Sequence, residues 1–376
     1  MVRAEDFCAC LARLGVGFYA GVPDSLLQGL CAYLADSPPA GGHVIAANEG
    51  SAVAMACGYH VATGRHAAVY MQNSGLGNAV NPLLSLAAAD VYRIPLFLII
   101  GWRGEPGVAD EPQHAAQGRL TLPLLEVMGI RHEVLEPAGR WERQLAGCVR
   151  HMGETGQAAA VVVRKGAFGP HKAEPAPNAF TLRREEALEA ILEGIGPDAL
   201  VVSTTGKASR EIFEIRERRG GGHARDFLTV GSMGHASSIA LGMSLGAARD
   251  VYCIDGDGAF LMHMGPLAVA ARHARGNLRY VLINNGAHES VGGQPTVAFD
   301  MDAAGALRAL GFAPVMAAAD RGSLASGIEA LEGARGGALV VCVAQGSRDT
   351  LGRPTIPPER NKLDMMALIA EGEAGL

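Results

Sequence analysis

Two short segments of this chain carry oxygen donors suited to one hard cation: Gly256-Asp257-Gly258 and Asn284-Asn285. A carboxylate and a carboxamide are hard oxygen ligands, and magnesium completes its shell with phosphate oxygens and water rather than with a protein cage. Residues 251–255 read as a buried strand ending before Asp257, and residues 280–283 as another ending before Asn285. The chain between them reads as one helix and one returning strand, so both motifs reach the same edge of a sheet. Ala259 lies where that helix begins, with free amides for a diphosphate while Asp257 faces the cation. The chain at Gly286-Ala287 offers a backbone carbonyl as a third oxygen. Taken alone, Gly-Asp-Gly is also what a sharp strand-to-helix turn uses.

The elements that must position these motifs alternate along the chain. Apolar runs at 44–47, 67–72, 96–100 and 159–163, and again at 199–203, 251–254, 278–283 and 338–343, are separated by helical periodicity. Runs that are apolar at every position suit parallel strands covered by helices on both faces. The stretch 169–177, Gly-Pro-His-Lys-Ala-Glu-Pro-Ala-Pro, is rich in proline and poor in large apolar side chains, which marks a linker. The expected fold class is α/β: two doubly wound parallel-sheet domains, 1–170 and 182–376, joined by a linker at 171–181 with no middle domain. Ligands sit beyond the carboxyl ends of strands in such sheets. Asn48-Glu49, Asn73-Ser74-Gly75, Gly256-Asp257-Gly258 and Asn284-Asn285 all fall there. After Gln345, prolines at 354, 357 and 358 predict an extended arm and then a short terminal helix.

Composition narrows the class of partner. With 376 residues, 49% of them hydrophobic, the chain can bury cores for two domains, which excludes a disordered tail. A net charge of −6, with 32 basic residues scattered along the chain, leaves no footprint for nucleic acid, so small molecules are the expected partners. Glu5 and Asp6 ahead of a short amphipathic helix are wrong for a secretory signal, and no apolar run is long enough for a bilayer; a soluble cytoplasmic protein is expected. Seven cysteines, odd in number and without a C-x-x-C pair, read as buried thiols.

Together the motifs resemble those of the thiamine diphosphate-dependent 2-oxoacid decarboxylases, whose cofactor motif is Gly-Asp-Gly followed at a similar distance by Asn-Asn. Asn48-Glu49-Gly50-Ser51-Ala52 is similar to the segment that holds the cofactor-activating glutamate of that group. Gly231-Ser232-Met233-Gly234 resembles the segment that bends the cofactor, and Thr205-Gly206 a further cofactor-contacting turn. The similarity extends over nearly the whole chain, pyrimidine-binding domain first and diphosphate-binding domain second. It implies thiamine diphosphate and Mg2+ as cofactors. It places Glu49, Asn73, Thr205, Gly206, Gly231, Met233, Gly256, Asp257, Gly258, Ala259 and Asn285 against the cofactor, and Asp257, Asn285 and Ala287 on the metal.

The residue chemistry agrees with those roles while leaving plainer ones open. Glu49, among Ala46, Ala47 and Ala52, suits a protonated acid that hydrogen-bonds a pyrimidine nitrogen and favours its imino tautomer. It equally suits the first turn of a helix, where a carboxylate favours the dipole. Met233, large among small neighbours, can wedge the two cofactor rings together, or pack a core as methionine commonly does. The carbonyl of Gly231 would accept a hydrogen bond from the pyrimidine amino group, which needs the close approach glycine permits.

Gly21-Val22-Pro23-Asp24-Ser25, Asp110-Glu111-Pro112-Gln113-His114, Gln117-Gly118-Arg119 and the run from Asn284 to Thr296 carry the resemblance further. With the missing middle domain, they are similar to the phosphonopyruvate decarboxylase family, and the sulfopyruvate decarboxylases share much of the pattern. The resemblance implies a three-carbon 2-oxoacid bearing a phosphonate, decarboxylated to phosphonoacetaldehyde and carbon dioxide in phosphonate biosynthesis. Asp24, Ser25, His114 and His288 join Glu49 as catalytic candidates, although Asp24 equally suits a helix cap before Leu26-Leu27. A phosphonate dianion needs fixed donors and a cation. Arg119, Lys165, Lys207, Arg210 and His288 form the pool, with Lys207 also suited to the cofactor diphosphate and Arg210 to a solvated helix face. A sulfonate, with one fewer negative charge, would suit a similar pocket.

Because Glu49 and Asp257 fall in different domains, the resemblance implies a homodimer or larger homo-oligomer with active sites between subunits. Two other classes fit less well. A nicotinamide oxidoreductase would need the third glycine that neither Gly75-Leu76-Gly77 nor Gly256-Asp257-Gly258 reaches. A non-catalytic binding module would not need an acid aimed at the pyrimidine.

Overall fold

The unalternating apolar runs become the inner strands of two six-stranded parallel sheets. The computed structural model describes residues 1–171, 178–348 and 350–373, so the centre of the expected linker, 172–177, lies outside the described residues. The chain forms two units, Met1–Pro175 with Val291–Gln294, and Ala176–Ser290 with Pro295–Leu376.

Across the first sheet the strands run His43–Ile45, Val16–Gly21, His66–Gln72, Leu96–Gly101, Ala159–Val163 and Arg131–Val134, all pairs parallel. Across the second they run Asp226–Leu228, Leu200–Ser203, Val251–Gly256, Leu278–Asn284, Ala338–Cys342 and Val315–Ala318, again all parallel. Counted in chain order within each unit, both sheets have the order 2-1-3-4-6-5. In each, the first and third strands are neighbours whose connections depart to opposite sides. That is where a doubly wound sheet opens a crevice for ligands.

Successive side chains of the inner strands enter different cores. In the first unit Tyr70, Phe97, Ile99 and Val161 meet Phe7, Leu30 and Leu145, while Val69, Leu98, Ile100 and Val162 meet Val53, Ala56 and Leu125. In the second, Ile254, Val281 and Val341 meet Ile191, Ile212 and Leu324, while Cys253, Leu282 and Val340 join Ala240, Leu267 and Leu307. Each large aliphatic or aromatic side chain so buried contributes about 1.5–3 kcal/mol. The inner strands are therefore firm supports for the residues at their carboxyl ends.

Four strands of the two six-stranded sheets were not expected from apolar runs: Val16–Gly21, Arg131–Val134, Asp226–Leu228 and Val315–Ala318. The last three are sheet edges, where one backbone side and part of each face meet solvent, so the composition is short or polar. Val16–Gly21 is interior but carries glycine at 17 and 21. The terminal helix also departs from expectation. It spans Pro358–Glu373, sixteen residues where a short helix was expected. Its Asn361 covers the edge strand Asp226–Leu228: Oδ1 accepts from Leu228 N at 3.2 Å, and Nδ2 donates to Asp226 O at 2.7 Å and His223 O at 3.4 Å.

Candidate active site

In the second unit, strand Val251–Gly256 passes directly into helix Asp257–Met262. Asp257 is 4% exposed, and its Oδ2 accepts from the Thr296 hydroxyl at 2.5 Å. Burial pushes its carboxyl up to about 6 against the opposing pull of Thr296 and the backbone amides of Gly258, Asp257 and Gly286. Among the described residues no basic side chain pairs with it. A carboxylate removed from water without a counter-charge is costly, and a hard cation relieves that cost.

Asn285 follows the strand Leu278–Asn284 and is also 4% exposed. Its backbone oxygen accepts from Asn178 Nδ2 at 3.0 Å. Its side-chain Oδ1 accepts from Ala287 N at 3.1 Å, while Nδ2 donates to Glu289 Oε2 at 2.9 Å. Both ends of the amide are therefore oriented. The Ala287 carbonyl accepts from Glu289 N at 2.9 Å, which leaves it one lone pair. No group of three or more His, Cys, Asp or Glu suited to a metal occurs among the described residues. One buried carboxylate with amide and carbonyl oxygens matches magnesium, which draws the rest of its shell from phosphate and water.

Beside this pair lies a cradle of small residues. A Cβ at Gly258 would stand 2.9 Å from His288 Cε1 and 3.1 Å from Met233 Cε, so only glycine lets those two side chains converge there. The turn carrying Met233 has left-handed φ at Gly231 (66°), Ser232 (46°) and Gly234 (82°). Gly231 N donates to Thr205 Oγ1 at 3.0 Å, which ties that turn to the Thr205-Gly206 segment. Burial holds the His288 imidazole down to about 4, so it is neutral at pH 7. Gly256 and Ala259 flank the same strand-to-helix junction. The helix is only six residues long, so its dipole is small and the local amides matter more.

A charged network lies behind Asn285. Glu289 Oε1 accepts from Lys207 Nζ at 2.9 Å, and Oε2 from Arg184 Nη1 at 2.6 Å. Arg184 also forks onto Glu211 at 2.7 and 2.9 Å, and Lys207 donates to Ser347 Oγ at 2.6 Å. Burial raises the Glu289 carboxyl, but Arg184 and Lys207 outweigh it and leave it below the usual range. Lys207 is thus engaged by a carboxylate. Arg210 is half-buried on helix Lys207–Arg219, and no ion pair or hydrogen bond of its guanidinium occurs among the described residues.

In the first unit, Glu49 opens helix Glu49–Thr63, whose cap Asn48 accepts from Ser51 N at 2.8 Å. Glu49 is 5% exposed; its Oε2 accepts from Asn78 Nδ2 at 2.8 Å, and any side chain at Gly75 would collide with its carboxyl. Glu49 begins the helix, as its plainer reading has it, and it is a buried acid whose Oε1 is left unengaged by Asn78.

A second cluster lies beyond the strands Val16–Gly21, His66–Gln72 and Leu96–Gly101. Asp24 is fully buried, caps the turn Ser25–Leu27 through Leu26 N at 3.1 Å, and accepts from Gln72 Nε2 at 2.6 Å. Burial raises its carboxyl, with Gln72 and then Arg103 opposing. Arg103 donates to Ser25 Oγ at 3.0 Å and forks onto Asp110 at 2.8 and 2.5 Å, holding the Asp110 carboxyl down to about 2. His114 is 8% exposed, and its Nδ1 has no partner among the described residues. Burial and then Arg103 lower its imidazole. Asn73 clamps the Arg103 backbone, donating to Arg103 O at 2.8 Å and Thr121 Oγ1 at 2.9 Å and accepting from Arg103 N at 3.1 Å. Arg119 and Lys165 are exposed and take no part in this cluster.

Arg103, Gln72, Asn178 and Glu289 were not among the sequence candidates. Arg103 and Gln72 could have been suspected, since they lie at the carboxyl ends of apolar runs. Glu289 carried no such signal.

Among the described residues no helix is long and apolar enough to cross a membrane, and all seven cysteines are free thiols. Residues 1–123 match the family Thiamine pyrophosphate enzyme, N-terminal TPP binding domain, and residues 204–342 match Thiamine pyrophosphate enzyme, C-terminal TPP binding domain. The chain is 34% identical to a phosphonopyruvate decarboxylase of Streptomyces viridochromogenes, over 100% of this chain and 97% of that protein. A phosphonopyruvate decarboxylase of Streptomyces hygroscopicus is 35% identical over 95% of this chain and 92% of that protein. The sulfopyruvate decarboxylase subunit beta of Methanothermobacter thermautotrophicus is 41% identical over 35% of this chain and 68% of that protein.

Proposed function

This chain belongs to the phosphonopyruvate decarboxylase family of thiamine pyrophosphate enzymes, and on that premise we propose that it converts 3-phosphonopyruvate to phosphonoacetaldehyde and carbon dioxide with thiamine diphosphate and Mg2+. The observation that carries the cofactor reading is the uncompensated, buried Asp257 beside an Asn285 amide held at both ends, next to the Gly258 cradle. When bound, thiamine diphosphate supplies the carbon nucleophile and the electron sink for decarboxylation.

The chain's own residues bind, orient and move protons. Asp257 and Asn285 hold magnesium, with the Ala287 carbonyl as a further oxygen. Met233, Gly231 and Thr205 shape the cradle. Glu49, its Oε2 engaged by Asn78, presents Oε1 to a pyrimidine nitrogen. Asp24, whose burial favours the protonated acid, and neutral His114 hold and deliver protons beside the substrate. Arg103, oriented by Asp110 and joined to Ser25, is the cation for the phosphonate. It is preferred to Lys207 because its fork onto Asp110 uses Nε and Nη2 and leaves Nη1 a hydrogen beyond the one given to Ser25, and to Arg119 and Lys165 because they are exposed; Arg210 and His288 remain supporting donors.

The enzyme is proposed to act in the cytoplasm as a homodimer or larger homo-oligomer, the Glu49 half-site of one subunit serving the Asp257 half-site of another. A fully active monomer by light scattering would contradict that assembly. The likeness to a sulfopyruvate decarboxylase subunit favours sulfopyruvate as the second substrate reading. Purified protein with magnesium and thiamine diphosphate, assayed on both oxoacids for aldehyde release, decides between them. Faster turnover of phosphonopyruvate is expected; faster turnover of sulfopyruvate overturns the substrate assignment.

A further inference from the structure

Glu289 is a carboxylate, an acceptor at both oxygens, and it meets three donors from separate parts of the second unit. Arg184 opens helix Arg184–Gly194, Lys207 opens helix Lys207–Arg219, and Asn285 follows the strand Leu278–Asn284. Oε2 accepts from Arg184 Nη1 at 2.6 Å and Asn285 Nδ2 at 2.9 Å, and Oε1 from Lys207 Nζ at 2.9 Å. The Glu289 side chain is 13% exposed and that of Arg184 8%, so water competes little for these bonds. With Glu211 the group holds two cations and two carboxylates, which makes it balanced and firm.

The two ends of an asparagine amide have nearly the same shape, and only hydrogen-bond partners distinguish them. A carboxylate at Glu289 can receive only the NH2 end of Asn285, so Oδ1 is turned the other way, where Ala287 N also meets it. We propose that Glu289 is a positioning residue: anchored by Arg184 and Lys207, it fixes the Asn285 amide so that the oxygen, not the nitrogen, faces the magnesium. This rests on the assignment of Asn285 as a metal ligand. Outer partners that orient a ligand are worth about 10–100-fold in metal affinity. A glutamine at 289 presents a donor as well as an acceptor, so it no longer dictates which end of Asn285 turns inward.

The test is magnesium titration calorimetry on the full-length protein with thiamine diphosphate present, comparing the unaltered chain, Glu289→Gln, Asn285→Ala and the double variant. Glu289→Gln is expected to weaken magnesium about tenfold, the lower end of the range for outer partners, and to have no further effect in the Asn285→Ala background. Unchanged affinity in Glu289→Gln overturns the inference. So does an equal loss in both backgrounds, because Glu289 would then act through its charge and not through Asn285. Should Glu289→Gln fail to fold by circular dichroism, the same comparison is made in Lys207→Met protein, where the loss of one positive charge restores the balance. Failure of the unaltered chain to bind magnesium with the cofactor overturns the functional reading as well, which separates the two failures.

Discussion

The two units share one strand order and differ at the corresponding ends of their first four strands. After the first strand stand Asp24 in one unit and Thr204-Thr205 in the other; after the third, Gln72-Asn73 and Asp257; after the fourth, Arg103 and Asn285. After the second strand, Glu49 opens a helix where the other unit has the left-handed turn of Gly231 to Gly234. The shared frame brings side chains together at equivalent places, and charge balance then decides what each place can bind. In the first unit the buried acids meet neutral amides, Glu49 with Asn78 and Asp24 with Gln72, while Arg103 is matched by Asp110. In the second, Glu289 is matched by Arg184 and Lys207 while among the described residues Asp257 meets only a hydroxyl and backbone amides. The first arrangement suits proton transfer to a neutral or anionic organic group. The second leaves an uncompensated negative charge, which suits a dication.

The sharpest break would come at Glu49. Glu49→Gln keeps size and packing against Gly75 but loses the acid, so turnover is expected to fall by about 10²–10⁴-fold with cofactor affinity retained. Near-normal decarboxylation would remove the proton-transfer role from the first unit.

Asp257→Asn tests the other half. Losing a direct charged ligand should cost magnesium affinity more than the about 10–100-fold typical of outer partners, read by calorimetry. The same change should stabilise the metal-free protein. Asp257 has a folded value of about 6 against an ordinary 3.8, so below 3.8 it costs the fold nothing, and the penalty grows as pH rises from 3.8 and is complete above 6. Removing it is expected to gain about 1–3 kcal/mol at pH 8 and nothing near pH 3.8. A metal-free variant no more stable than the unaltered chain at pH 8 would show that Asp257 already has a counter-charge.

Arg103→Lys should raise KM for phosphonopyruvate about tenfold with a smaller change in kcat, since an ammonium cannot hold Asp110 in a fork and reach Ser25 together. An unchanged KM would take the phosphonate from the first unit's cluster. The smallest effect is structural. Asn361→Ala leaves Leu228 N and Asp226 O without partners at the second sheet's edge, for a loss of about 1–3 kcal/mol by chemical denaturation. Unaltered stability would mean that water replaces Asn361 there.

The inner strands were legible because both faces are apolar, as in Leu96–Gly101, where every position is buried. Edge strands such as Arg131–Val134 were hidden by polar residues that reflect solvent on one side. Asp257, Asn285, Glu49 and Met233 could be singled out as candidates because each sits in a short contiguous motif at a strand end. Glu289 was not, since its meaning lies in Arg184 and Lys207, 105 and 82 positions away.

By itself, then, the sequence determined the α/β class, the two parallel-sheet units and the short motifs at their strand ends that resemble those of thiamine diphosphate enzymes, because these follow from local periodicity and contiguous spacing. Only the tertiary structure decided which charges are balanced: Lys207 engaged by Glu289, Arg103 oriented by Asp110, Asp257 without a cation. Hydrogen bonds and ion pairs act over a few ångströms of space, and distance along the chain carries no measure of that separation.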